Sequence, residues 1–281
     1  MTRVLAVDIG GTKLAAGIVD ESGAVLDSVR ATTPVTGDAE ELFGALTELL
    51  GGLGVDGCER VGVGCGGPMR NGCELVSPLN IPAWRDFPLR ARLAELLGLP
   101  VAVDNDAKAL ALGEGWTGAA RGVRNYIGMV VSTGIGGGIV LGGRLVDGAD
   151  GNAGHVGHVI VEPRGHLCEC GAHGCVEAEA SGTAIAKFTG RPAEDATPDV
   201  VYRAGMLVGR AVANVANLLD LQLAVVSGSV ALGFGEPFFA AAQEELDARA
   251  CLDFSRGARI IPGALGSDGP LVGAAAVARR R

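Results

Sequence analysis

Two periods run through the sequence. Val4 to Asp8 is apolar and β-branched, Gly10-Gly11-Thr12 turns the chain, and Leu14 to Val19 returns, which predicts a hairpin. A turn at Gly23 leads into a third strand over Ala24 to Val29. From Asp38 the period lengthens. Leu42, Phe43, Leu46, Leu49 and Leu50 share one helical face, with Asp38 as N-cap and Glu41 as its capping-box partner. Val61 to Cys65 reads as a strand ending in Gly66-Gly67-Pro68. Leu89, Leu93, Leu96 and Leu97 mark a helix stopped by Gly98 and Pro100, and Val101 to Val103 a short buried strand entering Asp104-Asn105-Asp106.

The second half repeats the theme. Asn125 to Ser132 and Gly138 to Leu141 predict strands about a glycine turn. Ala204 to Leu219 is a long apolar helix, as suited to a core as to an interface. Leu223 to Ser227 is a strand, Glu236 to Ala250 an amphipathic helix, Ile260-Ile261 a last strand piece and Leu271 to Arg281 a terminal helix. Alternating strands and helices predict an α/β class, with no low-complexity linker.

Composition narrows the function. Apolar residues are 48% of 281, which supplies a core and excludes wholesale disorder. Glycine numbers 46, against an ordinary share of ~7%, without a three-residue period. Lys and Arg total 23 against 32 Asp and Glu, a formal −9, which argues against a nucleic-acid or anionic-membrane surface. The uncharged stretch Tyr126 to Gly143 has membrane-span length, but its glycines favour two strands. Met1-Thr2-Arg3 shows no signal peptide, and seven cysteines is an odd number, so a reducing cytoplasm is expected.

Three glycine clusters carry candidate chemistry. Asp8-Ile9-Gly10-Gly11-Thr12-Lys13 lets backbone amides and the Thr12 hydroxyl approach phosphate, with Asp8 placed to hold Mg²⁺. Alone, the run is also what a glycine hairpin with a capping Asp looks like. Ser132-Thr133-Gly134-Ile135-Gly136-Gly137-Gly138 repeats the arrangement, and Val226-Ser227-Gly228-Ser229-Val230 opens a strand end where α/β folds bind ligands. Asp104-Asn105-Asp106 reads as a helix cap or, with Asp106 as general base, as a site for phosphoryl transfer.

The sharpest signal is a Cys/His window. His158, Cys168, Cys170 and Cys175, turned by Gly171 and Gly174, form a one-imidazole, three-thiolate set suited to structural Zn²⁺. The alternative is a coincidence of free cysteines. Cys58, Cys65, Cys73 and Cys251 read as ordinary small core or loop residues, and His166 and His173 as exposed loop residues, either of which could substitute as a ligand.

These motifs together resemble the ROK family of bacterial sugar kinases and related repressors, over nearly the whole chain. The resemblance implies an actin/hexokinase-like (ribonuclease H-like) two-domain fold, with ATP and sugar in an interdomain cleft and a structural zinc knuckle. The expected division is a small domain of residues 1–106 plus 268–281 and a large one of 107–267. The implied activity is transfer of the γ-phosphoryl group of ATP to the 6-hydroxyl of a hexose or N-acylhexosamine. Asp106 would be the catalytic base. Asn105, His155, His158, Glu177, Gly67 and Asn80 would bind sugar, with His158 also holding zinc through its other ring nitrogen. Asp8, Gly10, Gly11, Thr12, Lys13, Thr133, Gly134, Gly228 and Ser229 would hold the nucleotide and its Mg²⁺. The family's repressors add a DNA-binding module; here the first strand starts at Val4, so none is expected. The alternative is a sugar-sensing regulator without that module. The resemblance also implies a homodimer or homotetramer.

Two positions depart from the family pattern. Ala153-Gly154-His155-Val156-Gly157-His158 carries His155 where glucose kinases of the family place Glu. Imidazole accepts one hydrogen bond where a carboxylate accepts several. The same His occurs in sequences resembling N-acetylmannosamine kinases, which shifts the expected substrate toward an N-acylated hexosamine. The second departure is Ser227-Gly228 in place of Gly-Gly.

Overall fold

The amino-terminal apolar run forms β1 (Arg3–Ile9), antiparallel to β2 (Lys13–Val19), in a computed structural model that describes residues 2–280. Next come β3 (Val25–Thr32), α1 (Ala39–Gly51), β4 (Cys58–Cys65), the short pair β5 (Met69–Arg70) and β6 (Leu75–Val76), α2 (Leu89–Leu97), β7 (Val101–Asn105) and α3 (Asp106–Trp116). The sheet order is β3-β2-β1-β4-β7, with β1, β4 and β7 parallel. The near-continuous apolar character of β1 follows from burial on both faces. Leu5, Val7 and Ile9 join the core that includes Leu42, Leu46, Trp84 and Leu93. Val4 and Ala6 pack with Leu271, Ala274 and Ala278 of the C-terminal helix.

The second unit contains β8 (Tyr126–Val131), β9 (Ile135–Leu141), β10 (Arg144–Leu145), α4 (Val176–Ala180), α5 (Gly182–Thr189), α6 (Pro198–Leu219), β11 (Leu223–Ser227), α7 (Ser229–Phe234), α8 (Glu236–Arg249) and β12 (Arg259–Pro262). Its sheet order, β10-β9-β8-β11-β12, repeats the first strand for strand: an antiparallel hairpin meander followed by two parallel neighbours. The stretch of membrane-span length is the β8–β9 hairpin, and no described helix is long and apolar enough to cross a membrane. The apolar face of α6 lies inside this unit's core, with Leu207, Val208, Ala211 and Val212 buried. Gly205 and Gly209 admit α8 so closely that a Cβ on either would strike the backbone carbonyls of Phe238 and Ala242.

The two units divide differently from the expected 1–106 plus 268–281 and 107–267. The first comprises the chain up to Gly118, Asp147–Ala153 and Leu265 onward, and the second Ala119–Val146 and Gly154–Ala264. The reason is packing. α3 lies against the C-terminal helix Gly269–Ala278, where a Cβ on Gly113 would stand 3.0 Å from Gly273 Cα and one on Gly273 would stand 2.7 Å from Ala109 C. Asn152 ties the excursion back, its Oδ1 accepting from Met69 N and its Nδ2 donating to Met69 O, both at 2.8 Å.

Several local expectations change. The capping box of α1 does not form: Asp38 accepts from Glu40 N, but Glu41 Oε2 takes the Thr36 hydroxyl instead, at 2.5 Å. The terminal helix spans Gly269–Ala278 rather than running from Leu271 to Arg281, and Arg281 lies outside the described residues. The long helix begins at Pro198, six positions before Ala204, because Pro at its first turn is a helix starter.

Candidate functional site

In the first unit, register brings the expected residues together. Ile9 pairs with Cys65 and Cys65 with Asn105, so β1, β4 and β7 end level, and chemistry gathers at their carboxyl edge. Asp8 sits one residue back on β1. Asp106 opens α3, capped by Asn105, whose Oδ1 accepts from Ala107 N at 3.1 Å and Lys108 N at 3.3 Å. Asp106 is solvent-exposed, its Oδ1 accepting from Ala107 N at 2.8 Å. A Cβ on Gly64 would stand 3.5 Å from both Asp106 Cα and Asp8 Oδ1, so this position of β4 lies against both acids. Burial, then the charge of Asp106, push Asp8 up to about 7 against the opposing charge of Lys13.

The Gly10–Lys13 turn is held by Gly10 N donating to Lys13 O at 3.0 Å and by the Thr33 hydroxyl donating to Gly10 O at 2.7 Å. Gly11 owes its identity to Asn80, whose backbone oxygen would lie 2.9 Å from an added Cβ. Gly67 joins the same loop cluster, its carbonyl accepting from Leu79 N at 3.2 Å. Thus Asp8, Gly10–Lys13, Gly67, Asn80, Asn105 and Asp106 all lie in the loops or strand ends at this edge.

The second unit presents an equivalent edge. The β8–β9 turn carries Thr133 and Gly134, and β11 runs out into Gly228 and Ser229. Ser132 Oγ and Ser229 Oγ are 2.8 Å apart, which joins the two clusters. Gly228 adopts φ 102°, and a Cβ there would strike Val131 O, so no other residue fits. Glu177, in the first turn of α4, accepts from Ile135 N through Oε2 at 2.8 Å. The rings of His155 and His158 lie nearly parallel at 6.1 Å.

The Cys/His window closes into one cluster. The donor atoms of His158, Cys168, Cys170 and Cys175 all lie within 4.8 Å of one another. Cys170 Sγ is 3.6 Å from Cys175 Sγ, and Cys168 Sγ is 3.6 Å from His158 Nδ1. A tetrahedral zinc with Zn–S of ~2.3 Å separates its sulfurs by about 3.8 Å, so donor set and spacing both fit. Burial and the adjoining thiols push Cys175 up to about 12, a proton that a bound dication would displace. His173, read as a loop residue, is exposed and turned to Gly165 O at 3.0 Å.

Some residues carry more than their sequence suggested. Cys65 is fully buried, and its thiol is pushed well up by burial and by the charges of Asp106 and Asp8. His166 is no idle loop residue, since its Nδ1 lies 3.1 Å from Glu179 Oε2, a buried carboxylate that Arg203 also engages. Asp104, Lys108, Asp147 and Arg280 form a ring of ion pairs behind Asn105. The four-residue spacing of Asp104 and Lys108 was its one visible sign.

Comparisons with known proteins agree with this geometry. The ROK family profile matches residues 4–281. Glucokinase from Thermotoga maritima is 32% identical over 313 residues, covering 99% of this chain and 98% of that protein. N-acetylmannosamine kinase from Shigella flexneri is 36% identical over 248 residues, covering 83% of this chain and 84% of that protein. The crystal structure of a ROK family glucokinase from Streptomyces griseus, in complex with glucose and AMPPNP, superposes with a TM-score of 0.85 at 32% identity and covers 99% of both chains. With motifs, duplicated sheet topology and relatives in agreement over almost its full length, the chain belongs to the ROK family.

Proposed function

We propose that this chain is an ATP-dependent sugar kinase that phosphorylates the 6-hydroxyl of a hexose or N-acylhexosamine. The observation that carries the reading is Asp106, exposed at the first turn of α3, level with the strand ends and beside Asp8. Kinase relatives on both the glucose and the N-acetylmannosamine side support the class, and the AMPPNP bound to the S. griseus enzyme supports ATP as donor.

In this reading the first unit supplies the base. Asp106, kept ionised by the helix terminus, takes the proton of the attacking hydroxyl late, as a loose phosphoryl-transfer transition state allows. Asn105 orients a neighbouring hydroxyl, with Gly67 and Asn80 bordering the sugar. Asp8, directly or through water, would hold Mg²⁺, whose chemistry is to neutralise phosphate charge. Gly10, Gly11, Thr12 and Lys13 offer amides, a hydroxyl and an ammonium to phosphate. The second unit supplies Thr133 and Gly134 for phosphate, Gly228 and Ser229 for the nucleoside side, and His155, His158 and Glu177 for the sugar. Because His158 turns Nδ1 to the thiols, Nε2 is its sugar-facing atom. Zinc held by His158, Cys168, Cys170 and Cys175 would be structural, fixing that imidazole.

His155 favours the N-acylhexosamine within the substrate class, since one imidazole cannot replace a carboxylate that accepts from two hydroxyls. A homodimeric or homotetrameric cytoplasmic enzyme completes the proposal. The test is ADP release over a panel of glucose, N-acetylmannosamine and N-acetylglucosamine, with Asp106→Asn as control. The expected loss in the variant is ~10²–10⁴-fold in kcat. Full turnover by the variant removes Asp106 from its role, and sugar-dependent partner binding without ADP release makes the chain a sensor.

A further inference from the structure

We infer that Glu177 is a positioning residue for the Ser132–Ile135 loop as well as a sugar ligand, so that one carboxylate links the sugar to the nucleotide. The inference rests on the phosphate role proposed for that loop. Oε2 of Glu177 accepts the Ile135 N–H at 2.8 Å. The same oxygen lies 2.8 Å from the point where a Cβ on Gly134 would stand, so the carboxylate packs directly over that glycine and a side chain there would have to displace it. Close packing fixes the approach: Gly157 leaves room for both Ile135 O and Glu177 Cβ, the latter 3.5 Å from an added Cβ.

The rest of the loop hangs from the same stretch of chain. Ser132 O accepts from Gly182 N at 2.8 Å, and Thr133 O accepts from Thr183 N at 3.2 Å. These donors open α5, which is joined to α4 through Ser181. Ser181 N donates to Glu177 O at 3.2 Å, and its hydroxyl oxygen accepts from Ala184 N at 3.1 Å. Ser132, Thr133 and Ile135 are therefore each anchored to residues 177–183. The Gly10–Lys13 turn has a different support, Thr33. Because the Ile135 amide is engaged by Glu177, it sets the course of the loop, and Thr133 and Gly134 are the amides the loop offers to phosphate.

Two consequences follow for binding. Without any sugar present, the Glu177 carboxylate already contributes to nucleotide affinity by holding the loop in shape. When a sugar hydroxyl also donates to that carboxylate, its rotamer is restricted further, so each ligand tightens the other by the same factor.

The test is calorimetric titration of Mg²⁺–AMPPNP into the full-length, sugar-free protein. Glu177→Ala is expected to weaken nucleotide binding about tenfold, the scale of a hydrogen bond to a charged acceptor. Glu177→Gln keeps an oxygen for the Ile135 amide and is expected to recover most nucleotide affinity while sugar affinity stays low. Glu177→Asp keeps the charge but is one methylene short, and is expected to behave like the alanine variant. Amide hydrogen exchange at Ile135 should quicken in Ala and Asp and stay slow in Gln. Equal nucleotide affinity in wild type, Ala and Asp, or unchanged exchange at Ile135, overturns the inference while leaving the kinase reading intact. Absence of AMPPNP binding by wild type instead overturns the kinase reading beneath it. Should the alanine variant fail to fold, the contrast between Gln and Asp decides.

Discussion

Lys108 Nζ lies 2.8 Å from Asp104 Oδ1, and both side chains are shut away from solvent at 2% and 1% exposure. The ammonium is completed by Asp147 Oδ1 at 3.2 Å and Gly151 O at 2.9 Å. Arg280 closes the ring, engaging Asp104 and, at 2.7 and 2.6 Å, both oxygens of Asp147. Asp104 Oδ1 also accepts the backbone N–H of Asn105 at 2.8 Å, so the ring touches the residue that caps α3 and precedes Asp106.

Removing one member of this ring leaves a buried charge uncompensated, which costs ~3–5 kcal/mol. Lys108→Met is therefore expected to destabilise the protein by about 3 kcal/mol in urea titration, with Arg280 sparing part of the loss. The double variant Asp104→Asn/Lys108→Met removes both charges together and should recover much of it. Two independent, additive losses would mean that the pair is not coupled.

Asp8 makes stability depend on pH in the direction opposite to an ordinary salt-bridged acid. Folding raises its pKa from 3.8 to about 7, so the folded chain holds this proton more tightly than the unfolded one. Its contribution to stability is fully present below the unfolded value and is lost as pH rises through the folded one. Asp8→Asn has no proton to lose. Its stability relative to wild type should grow by about 2 kcal/mol between pH 5 and pH 8 in buffer without divalent cations. A pH-independent difference in paired melting curves would deny the shift.

Chelation addresses the knuckle. Zinc-finger sites draw ~10 kcal/mol or more of apparent folding energy from the metal. Stripping zinc should speed amide exchange from His158 to Glu177 and weaken sugar binding, because the proposed function gives the same imidazole both roles. Unchanged sugar affinity in a verified zinc-free sample would uncouple the two.

The selector role of His155 is checked by exchange. His155→Glu restores a carboxylate that accepts from two hydroxyls. The ratio of kcat/KM for glucose over N-acetylmannosamine should rise by about 10-fold or more, the worth of one or two hydrogen bonds to a charged acceptor. A ratio that stays put moves the choice of sugar to other residues.

Much of this was legible in one dimension, because the forces involved are local. Alternating β-branched residues and glycine turns marked the two hairpins, the helical period marked α1, and Asn105 caps α3 by accepting from amides only two and three residues on. His158, Cys168, Cys170 and Cys175 lie within eighteen positions of one another, so spacing alone marked them as a donor set that could hold a metal. Local chemistry also misled at Glu41, where a nearby hydroxyl outcompeted the backbone amide.

What folding added are the long-range meetings. Asp8 comes beside Asp106 because β4 lies between β1 and β7 with Gly64 in register, and burial, with the Asp106 charge second to it, raises this acid to about 7. Asp104 finds Arg280 from 176 residues away, and Glu177 finds the Ile135 amide from 42. No period encodes such partners. They depend on which faces of separate elements are buried together, and a buried charge or amide takes whichever partner the packed chain brings within reach.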